Sequence, residues 1–180
     1  MADFLSLAPL AFILCLVLIL SSIAAAAAGT TELATQICRN TSNYAFCQEA
    51  MYSDPRAVGA DRYLLAYIAY RQAYLNATDT ADYIASELKS KSMESGGASG
   101  SLRKCLGYYE EAIRRLAEML GNLDSETFYG LDELSIDVEN SVRGCQASVG
   151  NPPSPLSKRN DDLIKLSNIC LVVSKLYIYL

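Results

Sequence analysis

Four long runs, in which large apolar residues recur three and four positions apart, constrain this chain more than any other feature. The second run is the cleanest, with Leu102, Cys105, Leu106, Tyr109, Ile113, Leu116 and Leu120. That spacing lays the residues along one face of a helix. The first run, between Asp61 and Met93, carries Leu64, Leu65, Ile68, Leu75, Ile84 and Leu88 among tyrosines and alanines. The third is Phe128, Leu131, Leu134, Val138, Val142, Cys145 and Val149. The fourth is Leu163, Leu166, Cys170, Val173 and Tyr177. Breaks at Ser95–Ser101, Asn122–Ser125 and Gly150–Pro155 separate them. Asn160, with Asp161 and Asp162, reads as the cap and first turn of the last helix. No run alternates as a strand does. The pattern predicts an all-α antiparallel four-helix bundle, preceded by a shorter element, Thr31–Ser53, that Asp54-Pro55 closes.

The 180 residues contain no His and no Trp. A Ser-His-Asp or Cys-His pair is therefore excluded, together with His-ligated metal and an imidazole pH switch. No cofactor or metal set is indicated, and no carboxylate motif points to an enzyme. Twenty acidic against fifteen basic residues give −5. Nucleic-acid binding needs a basic face, so that class of partner is set aside.

Residues 1–28 hold an apolar run from Leu10 to Leu20, then Ser21, Ser22 and Ile23 to Ala28. A membrane span needs roughly 20 apolar residues, so eleven followed by small residues read as a signal peptide cleaved near Ala28. Asp3 in place of an early Lys or Arg is atypical, and an uncleaved anchor is the rival reading. The expected mature domain is 29–180, with net charge −4, secreted and without stable membrane association. The final run, Ile169–Leu180, is interrupted by Lys175 and lacks the polar spacer of a lipid-anchor signal.

Five cysteines remain beyond Cys15, and five allow fifteen ways of forming two bridges. Helix geometry narrows them. With the turn between the second and third runs centred near Leu123, Cys105 lies about 18 residues before it and Cys145 about 22 after. At 1.5 Å rise per residue the two sit within roughly 6 Å in height on neighbouring helices. Cys170 falls at another level, within the apolar stripe of its own helix. The expected bridges are Cys38–Cys47 and Cys105–Cys145, with Cys170 a free, buried thiol.

The segment Cys38-Arg39-Asn40-Thr41-Ser42-Asn43-Tyr44-Ala45-Phe46-Cys47, followed by Asp54-Pro55 and Asp61, resembles the opening cysteine hairpin of the plant invertase/pectin methylesterase inhibitors. Cys105-Leu106-Gly107-Tyr108-Tyr109 with Ala112 and Leu116 is similar to that family's third-cysteine helix. Cys145 stands where the partner cysteine is expected, and Asn160 to Leu176 resembles the last helix. The likeness covers roughly residues 31–178. It implies a secreted bundle with an N-terminal helical hairpin and two disulfides. It also implies a proteinaceous, non-enzymatic inhibitor of a cell-wall enzyme, acting in trans. Pectin methylesterase and acid invertase are the implied partners, the apoplast the implied location, and the vacuole an option for a vacuolar invertase. Invertase-inhibiting members often carry Pro-Lys-Phe after the third-cysteine helix, but here the stretch reads Asp124-Ser125-Glu126-Thr127-Phe128. Steric 1:1 inhibition of pectin methylesterase is therefore the leading expectation and invertase the alternative. A secreted carrier of a small apolar ligand, from a different class, would need a cavity that these Leu-, Ile- and Val-rich stripes are able to fill.

No Lys or Arg occurs between Arg115 and Arg143, whereas Glu118, Asp124, Glu126, Asp132, Glu133, Asp137 and Glu139 do. Glu126, Asp132, Glu133 and Asp137 are the candidate partner-binding face, set against an ordinary solvated helix face. Tyr67, Tyr70 and Tyr74, spaced by three and four, are expected to pack against the bundle. Asn40-Thr41-Ser42 and Asn76-Ala77-Thr78 are N-glycosylation sequons.

Overall fold

The computed structural model describes residues 33–91, 98–150 and 155–178. The proposed leader, residues 1–28, lies outside the described residues, as does part of each flanking break. Helix α1 (33–39) and α2 (Tyr44–Tyr52) form a hairpin, and a 3-10 turn, Pro55–Ala57, follows. Four long helices complete the fold: α3 (Arg62–Lys91), α4 (Ala98–Asp124), α5 (Leu131–Val149) and α6 (Pro155–Ser174). A final 3-10 turn spans Lys175–Tyr177.

Local chemistry sets several boundaries. Asn43 caps α2 by accepting from the Phe46 N–H at 3.0 Å, and Asp54 caps the 3-10 turn by accepting from the Arg56 N–H at 3.0 Å. Asp61 does the same for α3, accepting from the Leu64 N–H at 2.9 Å. Three boundaries differ from expectation, one of them the start of α4 at Ala98, inside the expected Ser95–Ser101 break. Helix α6 begins at Pro155, whose fixed φ suits the first helical position and whose missing N–H costs nothing there. Leu156, buried, pins that first turn to the core. Asn160 is consequently inside the helix and fully buried, not at its cap. Likewise α4 runs on to Asp124, because burying Leu123 completely rewards one more turn.

Helix α3 packs on α4 and α6, and α5 packs on the same two, so the four form an antiparallel ring. Leu65, Ile68, Leu116, Met119, Leu123 and Leu163 fill its centre, each fully or almost fully buried. These side chains occupy the centre, where the carrier alternative would place its apolar ligand. Tyr70 is completely buried, and Tyr67 and Tyr74 pack at the core's edge. Buried hydroxyls need partners. Tyr70 pairs with Ser174 Oγ at 2.8 Å, and Tyr109 donates to Asn160 Oδ1 at 2.8 Å.

The hairpin packs on the ring through Ile37, Cys38, Cys47 and Met51, which are buried in the common core, and through polar ties. The Ser42 N–H donates to Asn168 Oδ1 of α6 at 2.8 Å, and Gln72 of α3 donates to Ser53 Oγ at 2.8 Å. Cys38–Cys47 closes the hairpin, and Cys105–Cys145 joins α4 to α5, with Cα atoms 4.1 Å apart. Beside the second bridge the Tyr108 ring lies over Gly144. A Cβ at that glycine would fall 2.6 Å from the ring.

Candidate functional site

The end of the bundle where α4 turns into α5 gathers the most exposed features. Helix α4 stops in a Schellman arrangement: the Thr127 N–H bonds Asn122 O at 2.7 Å and the Glu126 N–H bonds Leu123 O at 3.1 Å. That geometry puts Glu126 at φ 55, a left-handed position that glycine ordinarily fills. Gly130, at φ 77, opens α5, and Asp132 and Glu133 occupy its first turn, where the helix dipole favours negative charge. Asp132 is held below the usual carboxylate range by its hydrogen bond with Glu133, then by the backbone N–H groups of both residues.

Between those two turning points the side chains divide. Phe128 folds inward and stacks on Tyr177 with ring centroids 4.5 Å apart. Tyr177 is fixed in turn by donating to Arg62 O at 3.0 Å, with the Arg62 guanidinium 5.4 Å from its ring. Tyr129 points out and is 90% exposed. Phe128, Tyr129, Gly130, Asp132, Glu133, Tyr177 and Ile178 surround a shallow groove of about 440 Å³. Tyr63 of α3 reaches the same end, its hydroxyl 3.4 Å from Asp124 Oδ1.

The structure brings together Glu126, Asp132 and Glu133 of the four candidate acidic residues. Asp137 stands apart, 3.5 Å from Arg115 of α4, a guanidinium that also contacts Glu111 and Glu118. Its carboxylate, half-exposed, faces that guanidinium rather than the loop. Cys170 is fully buried, its thiol donating to Ala69 O at 3.7 Å, and burial pushes its pKa up. Asn40 is exposed at the end of α1 and donates to Gln36 O at 2.8 Å. Asn76 lies midway along α3, half-buried, with its Oδ1 buried and unpartnered. Tyr129 was not among the sequence candidates. Its signal is an aromatic pair, Phe128-Tyr129, directly before a glycine: only one of the two can turn inward. No cluster of three or more His, Cys, Asp or Glu side chains able to hold a metal ion occurs among the described residues.

Comparison with known proteins places this geometry. The family model described as plant invertase/pectin methylesterase inhibitor matches residues 32–173. The chain belongs to that family. An Arabidopsis thaliana protein, cell wall / vacuolar inhibitor of fructosidase 2, is 34% identical over 108 residues, which is 60% of this chain and 59% of that protein. The pectinesterase inhibitor of Actinidia deliciosa is 27% identical over 148 residues, 81% of this chain and 79% of that protein. The crystal structure of mutant form A of a pectin methylesterase inhibitor from Arabidopsis shares the fold. It has a TM-score of 0.67 and 22% identity, covering 77% of this chain and 93% of that one. Named relatives are inhibitors rather than enzymes, and they divide between two kinds of target. Among the described residues of this inhibitor-family chain, no helix is long and apolar enough to cross a membrane.

Proposed function

We propose that this protein is a secreted inhibitor of pectin methylesterase, docking through the α4–α5 end and covering the enzyme's cleft in a 1:1 complex. The carrying observation is Glu126. A non-glycine residue kept at φ 55 costs about 1 kcal/mol or more, and such strain persists where a side chain is needed. Here it holds an exposed carboxylate on the α4–α5 loop that also carries Tyr129, in a segment with no basic residue from Leu116 to Val142. An esterase acting on a polyanionic substrate presents a cleft suited to negative charge, which an acidic loop meets with the right sign. The leader, residues 1–28, would deliver the protein to the wall.

One observation favours the second reading, acid invertase: the relative with 34% identity is named an inhibitor of fructosidase. Titration of the mature protein against both enzymes decides between them. Stoichiometric inhibition of pectin methylesterase with a nanomolar dissociation constant is expected, and its association rate should fall with added salt while dissociation barely changes. Tight inhibition of invertase alone would reverse the assignment.

A further inference from the structure

Outside the docking end, Asn76 is a half-buried residue of α3 with an unpartnered side-chain oxygen. Asparagine is a poor residue for a helix interior, since its amide competes for backbone partners. Here the Oδ1 is buried with nothing bonded to it, an arrangement that costs free energy. Asn76 lines a groove of about 440 Å³ between the α2 hairpin and helices α3 and α6. That volume is in the class that seats a small organic ligand, roughly 300–1,000 Å³. Its walls pair apolar surface, Phe46 and the 41%-exposed Leu75, with three carboxylates, Glu49, Asp79 and Asp162, the last also paired with Lys158 at 2.6 Å. Apolar patches that meet CH faces, beside carboxylates that accept from hydroxyls, suit a sugar ring. Asn76-Ala77-Thr78 is a glycosylation sequon.

We infer that Asn76 carries an N-linked glycan whose first N-acetylglucosamine seats in this groove and pins the α1–α2 hairpin to the bundle. Attachment precedes folding, while residues 76–78 are still an extended chain, and it rests on delivery of the chain through the secretory pathway. In that step Asn76 Nδ2 forms a bond to C1 of the sugar. The C1–O bond to a lipid pyrophosphate donor breaks, the pyrophosphate leaves with the electron pair, and one Nδ2 proton is lost to base. The sugar then adds a bridge between elements already joined by the buried side chains of Ile37, Cys47 and Met51, by the Lys165 ammonium 5.2 Å from the Phe46 ring, and by the Ser42–Asn168 and Gln72–Ser53 hydrogen bonds.

The test uses protein secreted from plant cells. Peptide mapping after amidase release in heavy-oxygen water should label Asn76. Thr78→Ala, which leaves Asn76 in place, should abolish the label, and Thr78→Ser should keep it. Trimming the glycan to its first sugar should leave the melting temperature unchanged, whereas Thr78→Ala should lower it by about 2–4 °C relative to Thr78→Ser. It should also speed amide exchange in residues 44–53. An unmodified Asn76 in the secreted protein would overturn the proposal. Equal melting and exchange for Thr78→Ala and Thr78→Ser would overturn the seat in the groove. Neither outcome depends on which enzyme is inhibited.

Discussion

Glu126 is where local strain and the proposed contact coincide, so stability and inhibition should part company there. Glu126→Gly removes the cost of the left-handed backbone and should stabilise the fold by about 1 kcal/mol. The same change deletes a loop carboxylate and should weaken inhibition by tenfold or more. Urea unfolding and inhibition titration on one variant check both; stabilisation with unchanged inhibition would return Glu126 to a purely structural role. Gly144 offers a test whose sign inverts. A methyl there meets the Tyr108 ring at 2.6 Å, and that ring is 40% exposed and able to yield, so Gly144→Ala should cost only about 1 kcal/mol. With Tyr108→Ala already made, the same substitution should stabilise by about 0.5–1 kcal/mol, because alanine is the better helix former. The sequence marked Glu126 for its charge but gave no sign that Gly144 was special: a glycine within a helical pattern is ambiguous until its neighbour across the interface is known.

At the level of elements, the covalent ties follow the division of labour among helices. Cys38–Cys47 closes a hairpin of two short helices that would not hold their own shape in isolation. Cys105–Cys145 joins two helices that already pack along their length, closing a loop with sequence separation 40. Cys105→Ser should cost about 2–5 kcal/mol, read as a drop in unfolding midpoint; a change of less than a degree or two in melting temperature would contradict it. Cys170 should resist alkylation until the bundle unfolds, since it is fully buried and its pKa is raised. The four-helix pattern was legible because each run keeps one apolar stripe over several turns. The ends of the helices were less so. Phe128 continues the stripe of the third run in sequence, yet it lies in the loop, because stacking on Tyr177 of the terminal turn satisfies it better than extending α5 past Gly130.

For the molecule as a whole, the absence of His leaves little to titrate near neutrality. Asp54 illustrates the sign. Hydrogen bonding from the Arg56 side chain and backbone lowers its pKa from 3.8 to about 2. Its contribution is therefore present above about pH 4 and lost as pH falls through about 2. Glu111 and Asp132 are shifted in the same downward direction, by hydrogen bonds from Arg114 and with Glu133 respectively. Cys170 moves up, away from neutrality. None of these groups is brought into the interval between pH 5 and 8. The melting temperature should thus stay flat within about 2 °C across that interval and fall only in stronger acid. Any steep pH dependence of inhibition between 5 and 8 should come from the target enzyme. A melting curve that shifts by more than several degrees between pH 5 and pH 8 would reveal a titrating group in the fold.

Periodicity, breaks and cysteine order determined the helices, their antiparallel ring and the pairing of Cys105 with Cys145, because each depends on intervals along a single chain. Those quantities survive any detail of packing. Family membership was legible for the same reason, since its motifs are intervals too. Tertiary structure decided what intervals cannot express. It turned Phe128 inward and Tyr129 outward, although adjacent aromatics are equivalent by pattern. It gathered Glu126, Asp132 and Glu133 at one end while Arg115 of the neighbouring helix took Asp137. Asn160, well suited to a cap, became the buried partner of Tyr109, because a proline five residues earlier started the helix first. In each case the outcome rests on a residue from another element, 49 positions away for Phe128 and Tyr177, and such pairings exist only once the chain has folded.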